Sequence, residues 1–198
     1  MLFAMNRRLF IFFLLISGGA GVRAQQPSFF TDEDRDYRKG IELLQQEKYS
    51  SAQEHFSETV QRLMQQSPET SRELLMNARY YEALCSKELQ RADAEYLFSS
   101  LTDEYEINPV TRRAHFQLGN IYFDQKKYSK ALARFKNAEA ADLSSDEQEE
   151  FRFRMAICYF FQKDFDKAAP LLAQLKDEQG EYYYPANYYY AYIAYKQN

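Results

Sequence analysis

Between Leu118 and Ala138 the small and apolar residues fall at Leu118, Gly119, Tyr122, Tyr128, Ala131, Phe135 and Ala138, with the polar stretch Asp124 to Lys127 between the two groups. Spacings of three and four place each group on one helical face, so the segment predicts two short helices joined by a polar turn. Neither helix can bury its apolar face alone, and a unit of this kind needs similar units stacked against it. The chain supplies them. Gly40, Tyr49, Ala52 and Phe56 repeat the spacing of Gly119, Tyr128, Ala131 and Phe135, with Tyr37 and Leu43 beside them. A less regular hairpin carries Tyr80, Ala83, Leu84 and Cys85 on its first helix and Ala94, Phe98 and Leu101 on its second. Another runs through Ala156, Tyr159, Phe165, Ala168, Leu172 and Leu175, and Tyr188 to Asn198 supplies only the first helix of a fifth unit. The small residues Gly40, Ala83, Gly119, Ala156 and Ala191 mark the units, at intervals of 43, 36, 37 and 35 residues.

Start and stop signals divide the chain at the same places. Thr31 with Asp34, and Ser144 with Glu147, have capping-box spacing. Ser67-Pro68 reads as a cap followed by proline in the first turn, and Asn108-Pro109 breaks the chain before the third hairpin. Gly180 is expected to end the second helix of the fourth hairpin and Pro185 to start the next helix. In the second hairpin Ala83 to Ala94 spans 11 residues where Gly119 to Ala131 spans 12, and Ser86 stands where the third has Tyr122, so local packing there should deviate. A small marker lets two helices approach closely, with the alanine of the second helix (Ala52, Ala94, Ala131 or Ala168) expected to face it. A bulky residue at Ala131 would then cost about 1–3 kcal/mol by overpacking.

These landmarks resemble the tetratricopeptide repeat family from about Tyr37 to the end of the chain, strongly in the first, third and fourth units and partially in the second. The resemblance implies an all-α, right-handed solenoid of antiparallel helical hairpins, four repeats plus the first helix of a fifth. It also implies a protein-binding scaffold whose first helices line a concave groove. The groove position three residues before each marker is then Tyr37, Tyr80, Phe116, Phe153 or Tyr188. Asn120 and Tyr192 follow the marker by one residue, and Phe123, Phe160 and Tyr195 by four. A largely apolar, aromatic groove suits a hydrophobic helix or an apolar extended segment as partner. It departs from the family's clamp of Lys and Asn side chains around a peptide carboxylate, of which only Asn120 has a counterpart. The same aromatics could instead pack helix on helix. The run Glu181 to Tyr195, with eight of the 17 tyrosines, admits the same two readings.

Residues 1–24 read as a secretory signal peptide: Arg7 and Arg8, the apolar run Leu9 to Ile16, then small residues with cleavage after Ala24. The apolar run is far shorter than the roughly 20 residues of a membrane-spanning helix. Residues 25–36 form a leader. The expected location is the periplasm, and the whole pattern resembles exported periplasmic repeat proteins of Bacteroidota and, more distantly, coordinators of the Tol system. Without residues 1–24, 22 Lys and Arg oppose 29 Asp and Glu, a net charge of −7 that disfavours nucleic acid as a partner. Cys85 and Cys158 occupy equivalent places in two hairpins and read as small buried core residues rather than a bridge. His55 and His115 share no metal-ligand spacing with each other or with the cysteines. No catalytic motif is present, and the acid-rich stretch Asp142 to Glu150 reads as a solvated loop and helix start. The expectation is a non-enzymatic, cofactor-free scaffold that binds envelope proteins. Because the sequence stops at Asn198 in a turn, it is expected to be the N-terminal piece of a longer protein or a truncated reading frame, with self-association open to it through its last helix. The alternative function is an N-terminal docking arm of a modular enzyme or uptake complex whose activity lies beyond Asn198.

Overall fold

The structure is a computed structural model that describes residues 33–65, 68–177 and 179–197. The signal peptide, its cleavage site, Thr31 and Ser67 lie outside the described residues. The described chain is helical, with α1 (Glu33–Gln45), α2 (Tyr49–Met64), α3 (Pro68–Glu88), α4 (Ala94–Glu104), α5 (Pro109–Asp124), α6 (Tyr128–Phe135), α7 (Ser145–Phe161), α8 (Phe165–Leu175) and α9 (Tyr183–Gln197). A single 3-10 turn, Ala140–Asp142, precedes α7.

Each odd-numbered helix from α1 to α7 packs on the helix that follows it, and each even-numbered helix packs on the first helix of the next unit. First helices also touch one another, α3 with α5 and α5 with α7, whereas no pair of second helices makes contact of similar extent among the described residues. This asymmetry curves the stack with its first helices inside, giving the expected all-α solenoid.

The turns explain how each hairpin closes. Glu47, Gln90, Lys126 and Lys163 have φ of 57°, 54°, 59° and 61°, and each stands seven residues after its marker. One left-handed residue reverses the chain without glycine. In three hairpins the second helix starts two residues later, but in the second hairpin Ala94 opens α4 only after a further tight turn over Arg91 to Asp93. There the buried Ser86 hydroxyl donates to the Asp93 carboxylate. The shorter spacing thus changes the entry to α4, as the sequence anticipates.

Ser144 accepts from the Glu147 amide at 3.4 Å, and Glu147 accepts from the Ser144 amide at 3.0 Å. Asn108-Pro109 proves to be more than a break. Asn108 accepts from the amides of Val110 and Thr111, and Thr111 Oγ1 accepts from the Asn108 amide at 2.8 Å, so a reciprocal cap starts α5 with Pro109 at its first position. Two boundary expectations need correction. α8 ends at Leu175, five residues before Gly180, with the Lys176 amide donating to Leu172 O at 2.9 Å. Pro185 is the third residue of α9 rather than its start, which the first turn tolerates because its N–H groups have no helical partner.

The markers work by a contact different from the expected one. What presses on Gly40 and Gly119 is the ring of Phe56 and of Phe135, four residues beyond the alanine. Phe56, Phe98, Phe116, Phe135 and Leu172 are fully buried, as are Ala52, Ala131 and Ala168. Cys85 and Cys158 are free and buried. Ala191, the fifth marker, is exposed: among the described residues α9 packs on α8 but has no following helix against it.

Candidate functional site

The first helices share one inner face, and the aromatic ladder divides across it. Tyr80 and Phe116 are buried, 3% and 0% exposed, inside the central core. Phe116 meets Phe135 and Phe151 with ring centroids 6.3 and 5.9 Å apart, and Tyr80 meets Phe98 at 5.9 Å. Asn120 is 1% exposed. For these three the groove expectation is corrected: they build the wall rather than face a ligand, because successive first helices close over this row. Phe116→Ala would therefore open a cavity and cost about 3–5 kcal/mol, rather than selectively weaken binding. Tyr37 is half-buried between Phe56 and Tyr81, at 5.8 and 6.1 Å. Phe153 is half-buried against Tyr182, 4.8 Å away.

The remaining expected positions keep accessible surface. Phe123 and Phe160 are half-buried, while Tyr188, Tyr192 and Tyr195 are exposed. Phe160 holds Tyr189 at 4.8 Å and Tyr192 at 5.3 Å edge-to-face, so the α7–α9 end of the face is a continuous aromatic surface.

Sequence reasoning missed the polar rows interleaved with these rings, six and two residues before the markers. The signal was present in their sequence spacing, but the polarity of those positions gives no hint that they share a face with the rings. Arg113 lies over the ring of Tyr80 at 4.6 Å and over that of Tyr81 at 5.9 Å, and donates to Asn77 at 3.4 Å. Arg154 lies over Phe123 at 4.8 Å and bridges Asp124 and Glu150 at 2.6 and 2.7 Å. Gln117 donates to Glu147 at 3.2 Å, while its carbonyl oxygen and that of Asn120 are buried without a partner among the described residues. Burial holds the Glu150 carboxyl above its ordinary range, against the opposing pull of Arg154 and Lys87. The face is therefore amphipathic in its middle and aromatic towards α9, not uniformly apolar. Chemically it can hold rings and aliphatic groups flat while guanidinium groups meet carboxylates or carbonyls.

Asp36, His55 and Glu58 could each offer a ligand atom to a metal within 4.8 Å of one another. Asp36 already accepts from Arg62 at 2.6 Å, a fixed positive charge that opposes a cation there. Among the described residues no helix is long and apolar enough to cross a membrane.

Two family profiles described as tetratricopeptide repeat match the chain, over residues 87–146 and 122–186. The chain also resembles a solved structure titled as the nearly identical repeats of a putative kinesin light chain from Podospora anserina, with a TM-score of 0.56 and 13% identity. That match covers 80% of this chain and 83% of the other, and at this identity it speaks to fold alone. No curated protein matches the sequence.

Proposed function

From the tetratricopeptide repeats that this chain carries, we propose an exported scaffold that captures a protein partner along the inner face of its first helices. The observation that supports this reading most directly is the accessible strip of Tyr81, Leu84, Phe123, Phe160 and Tyr192, interleaved with Arg113, Arg154 and Glu150. A scaffold needs a surface where apolar rings supply affinity and fixed charges set register. The partner is an extended or helical segment with apolar side chains at one end and acidic groups placed to meet Arg113.

Site-specific photo-crosslinkers at Leu84 and Tyr192, compared with one at the exposed Tyr96 on α4, test the groove in the native host. Adducts with one partner from the inner positions and none from Tyr96 are expected. Equal capture from Tyr96 sinks the groove. Export rests on the Arg7–Ala24 pattern, and the N-terminal sequence of the protein from the envelope fraction should begin at Gln25. A chain retaining Met1 in the cytoplasm overturns that part. The intact mass from the same preparation tests the docking-arm alternative: a mass far above that of residues 25–198 would show that the chain continues past Asn198, where the activity should then be sought.

A further inference from the structure

The turn between α5 and α6 carries a different surface. Lys126, Lys127 and Lys130 surround a depression of about 400 Å³ with Tyr128, Phe161 and Gln162. Phe161 lies flat on Tyr128, centroids 4.3 Å apart and planes within 5°, and is still 49% exposed. Lys130 also lines a second depression of about 370 Å³ with Tyr122, Arg134 and Asn137. The ammonium groups of Lys127 and Lys130 stand 6.0 and 5.6 Å from the Tyr122 ring. Lys163, at the next turn, is exposed too, and none of these four lysines has an ion-pair partner among the described residues. Nearby carboxylates are engaged elsewhere: Asp124 with Arg154 at 2.6 Å, Asp164 with Lys167 at 2.6 Å, and Glu95 with Gln125 at 3.2 Å.

The repeats supply an internal control. Five residues after the marker the other units carry Gln45, Glu88, Asp124 and Lys196, and only the fourth carries an aromatic, Phe161. The first and third turns are nearly the same sequence, yet Glu47 and Ser51 of the first correspond to Lys126 and Lys130 of the third. The fold therefore requires neither the exposed ring nor the lysines. In a chain of net charge −4 their concentration at one edge is a local reversal of sign.

We propose that this turn edge is a second docking surface, for an acidic segment of a partner protein carrying one aromatic or aliphatic side chain. The apolar side chain covers Phe161 over Tyr128, and the flanking carboxylates meet Lys126, Lys127 and Lys130. Complementary charge steers the encounter and the ring fixes the position. The chain's own acid-rich stretch does not fit the role, since Asp142 holds Arg112, Glu147 caps α7 and Glu150 holds Arg154.

Fluorescence anisotropy of the full chain with a short labelled peptide of Asp and Glu flanking one Phe tests this. The acidic Phe peptide should bind, and replacing its Phe by Ser should weaken binding about tenfold. Replacing its acids by Lys should abolish binding. The K126E/K127E/K130E variant should lose the peptide and Phe161→Ser should weaken it about tenfold, with circular dichroism unchanged because the altered groups are exposed. Lys136→Glu, outside the depression, should bind as the parent does. Binding that survives the triple reversal, or that the Ser peptide matches, overturns the proposal. A dimer in sedimentation that the triple reversal dissociates also overturns it, placing a second copy on the edge. The crosslinking positions of the groove lie outside this surface, so the two tests fail independently.

Discussion

A methyl group added to Gly119 would lie 2.4 Å from the Phe135 ring, and one added to Gly40 2.7 Å from that of Phe56. Ala156 stands at the same marker position, but the residue sixteen further on is Leu172. Ala83 does have a phenylalanine, Phe98, but at a spacing of fifteen and through the altered turn. Gly119→Ala should therefore destabilise by about 1–3 kcal/mol. Adding Phe135→Leu, which recreates the pairing of Ala156 with Leu172, should make the double variant less destabilised than the sum of the two singles. Thermal melts followed by circular dichroism measure the cycle, and additive losses would show that the ring is not the obstacle. His115 is 4% exposed with Nδ1 unpartnered among the described residues, and burial, then Arg134, hold its pKa below the ordinary 6.5, with Asp103 opposing. As pH falls through about 6.5 the unfolded chain takes up the proton first, so this residue's contribution to stability declines from there down to its folded pKa. Glu82 and Glu150, raised by burial, act with opposite sign above the ordinary carboxylate range. Urea midpoints at about pH 7.5 and 5.5 should differ between the parent and His115→Gln, with the variant losing less on acidification. An equal loss would assign the pH dependence to other groups. The marker glycines could be read in the sequence; the partner ring could not, since only the hairpin's closure brings residue 135 over residue 119.

Two of the helices carry their start written into their first residues. Asn108 with Thr111 satisfies three otherwise unpaired amide groups, and Ser144 with Glu147 satisfies two. Asn108→Ala and Ser144→Ala should each cost about 1 kcal/mol, read as a lower urea midpoint at unchanged helicity. A shift absent for Ser144→Ala would mean that Glu147 alone holds that end. The second cap was legible as a Ser-x-x-Glu pattern. The first was read only as a break, because Thr at its fourth place falls outside the familiar Glu or Gln. The hairpin turns were legible in position but not in conformation, since Glu47, Gln90, Lys126 and Lys163 are not residues that advertise positive φ. The end of α8 was misplaced because Gly180 is a plausible stop signal, whereas the last buried contact of that helix is Leu175.

At the scale of the whole chain, three groups of buried side chains follow one another. Ala52, Phe56 and Cys85 form one at the α1–α3 end, a larger one containing Cys158 spans α3 to α7, and Ala156, Leu172 and Ile193 belong to the third at the α7–α9 end. A linear array need not unfold as one body. Burial pushes the Cys85 and Cys158 thiols up to about 12, so alkylation near neutral pH reports opening rather than native reactivity. In rising urea Cys85, in the small group, should be alkylated before Cys158, as mass spectrometry of the peptides will show. Coincident midpoints would make the solenoid a single cooperative unit. The sequence by itself determined the class of fold, the number of hairpins and the burial of the small residues within the four complete hairpins, because helical periodicity and repeat spacing are local properties that need no tertiary contact. Only the tertiary structure decided which aromatics remain available. Tyr80 and Phe116 share a register with Tyr188, yet the first two lie inside the stack and the last is 68% exposed. The number of neighbouring helices that close over a position depends on where its unit stands in the array, and identical spacing cannot encode that. The same holds for the charges. Arg113 and Arg154 meet Tyr80 and Phe123 across helices far apart in sequence, and the lysines at the third turn gain their aromatic floor only when Phe161 of the next unit folds onto Tyr128.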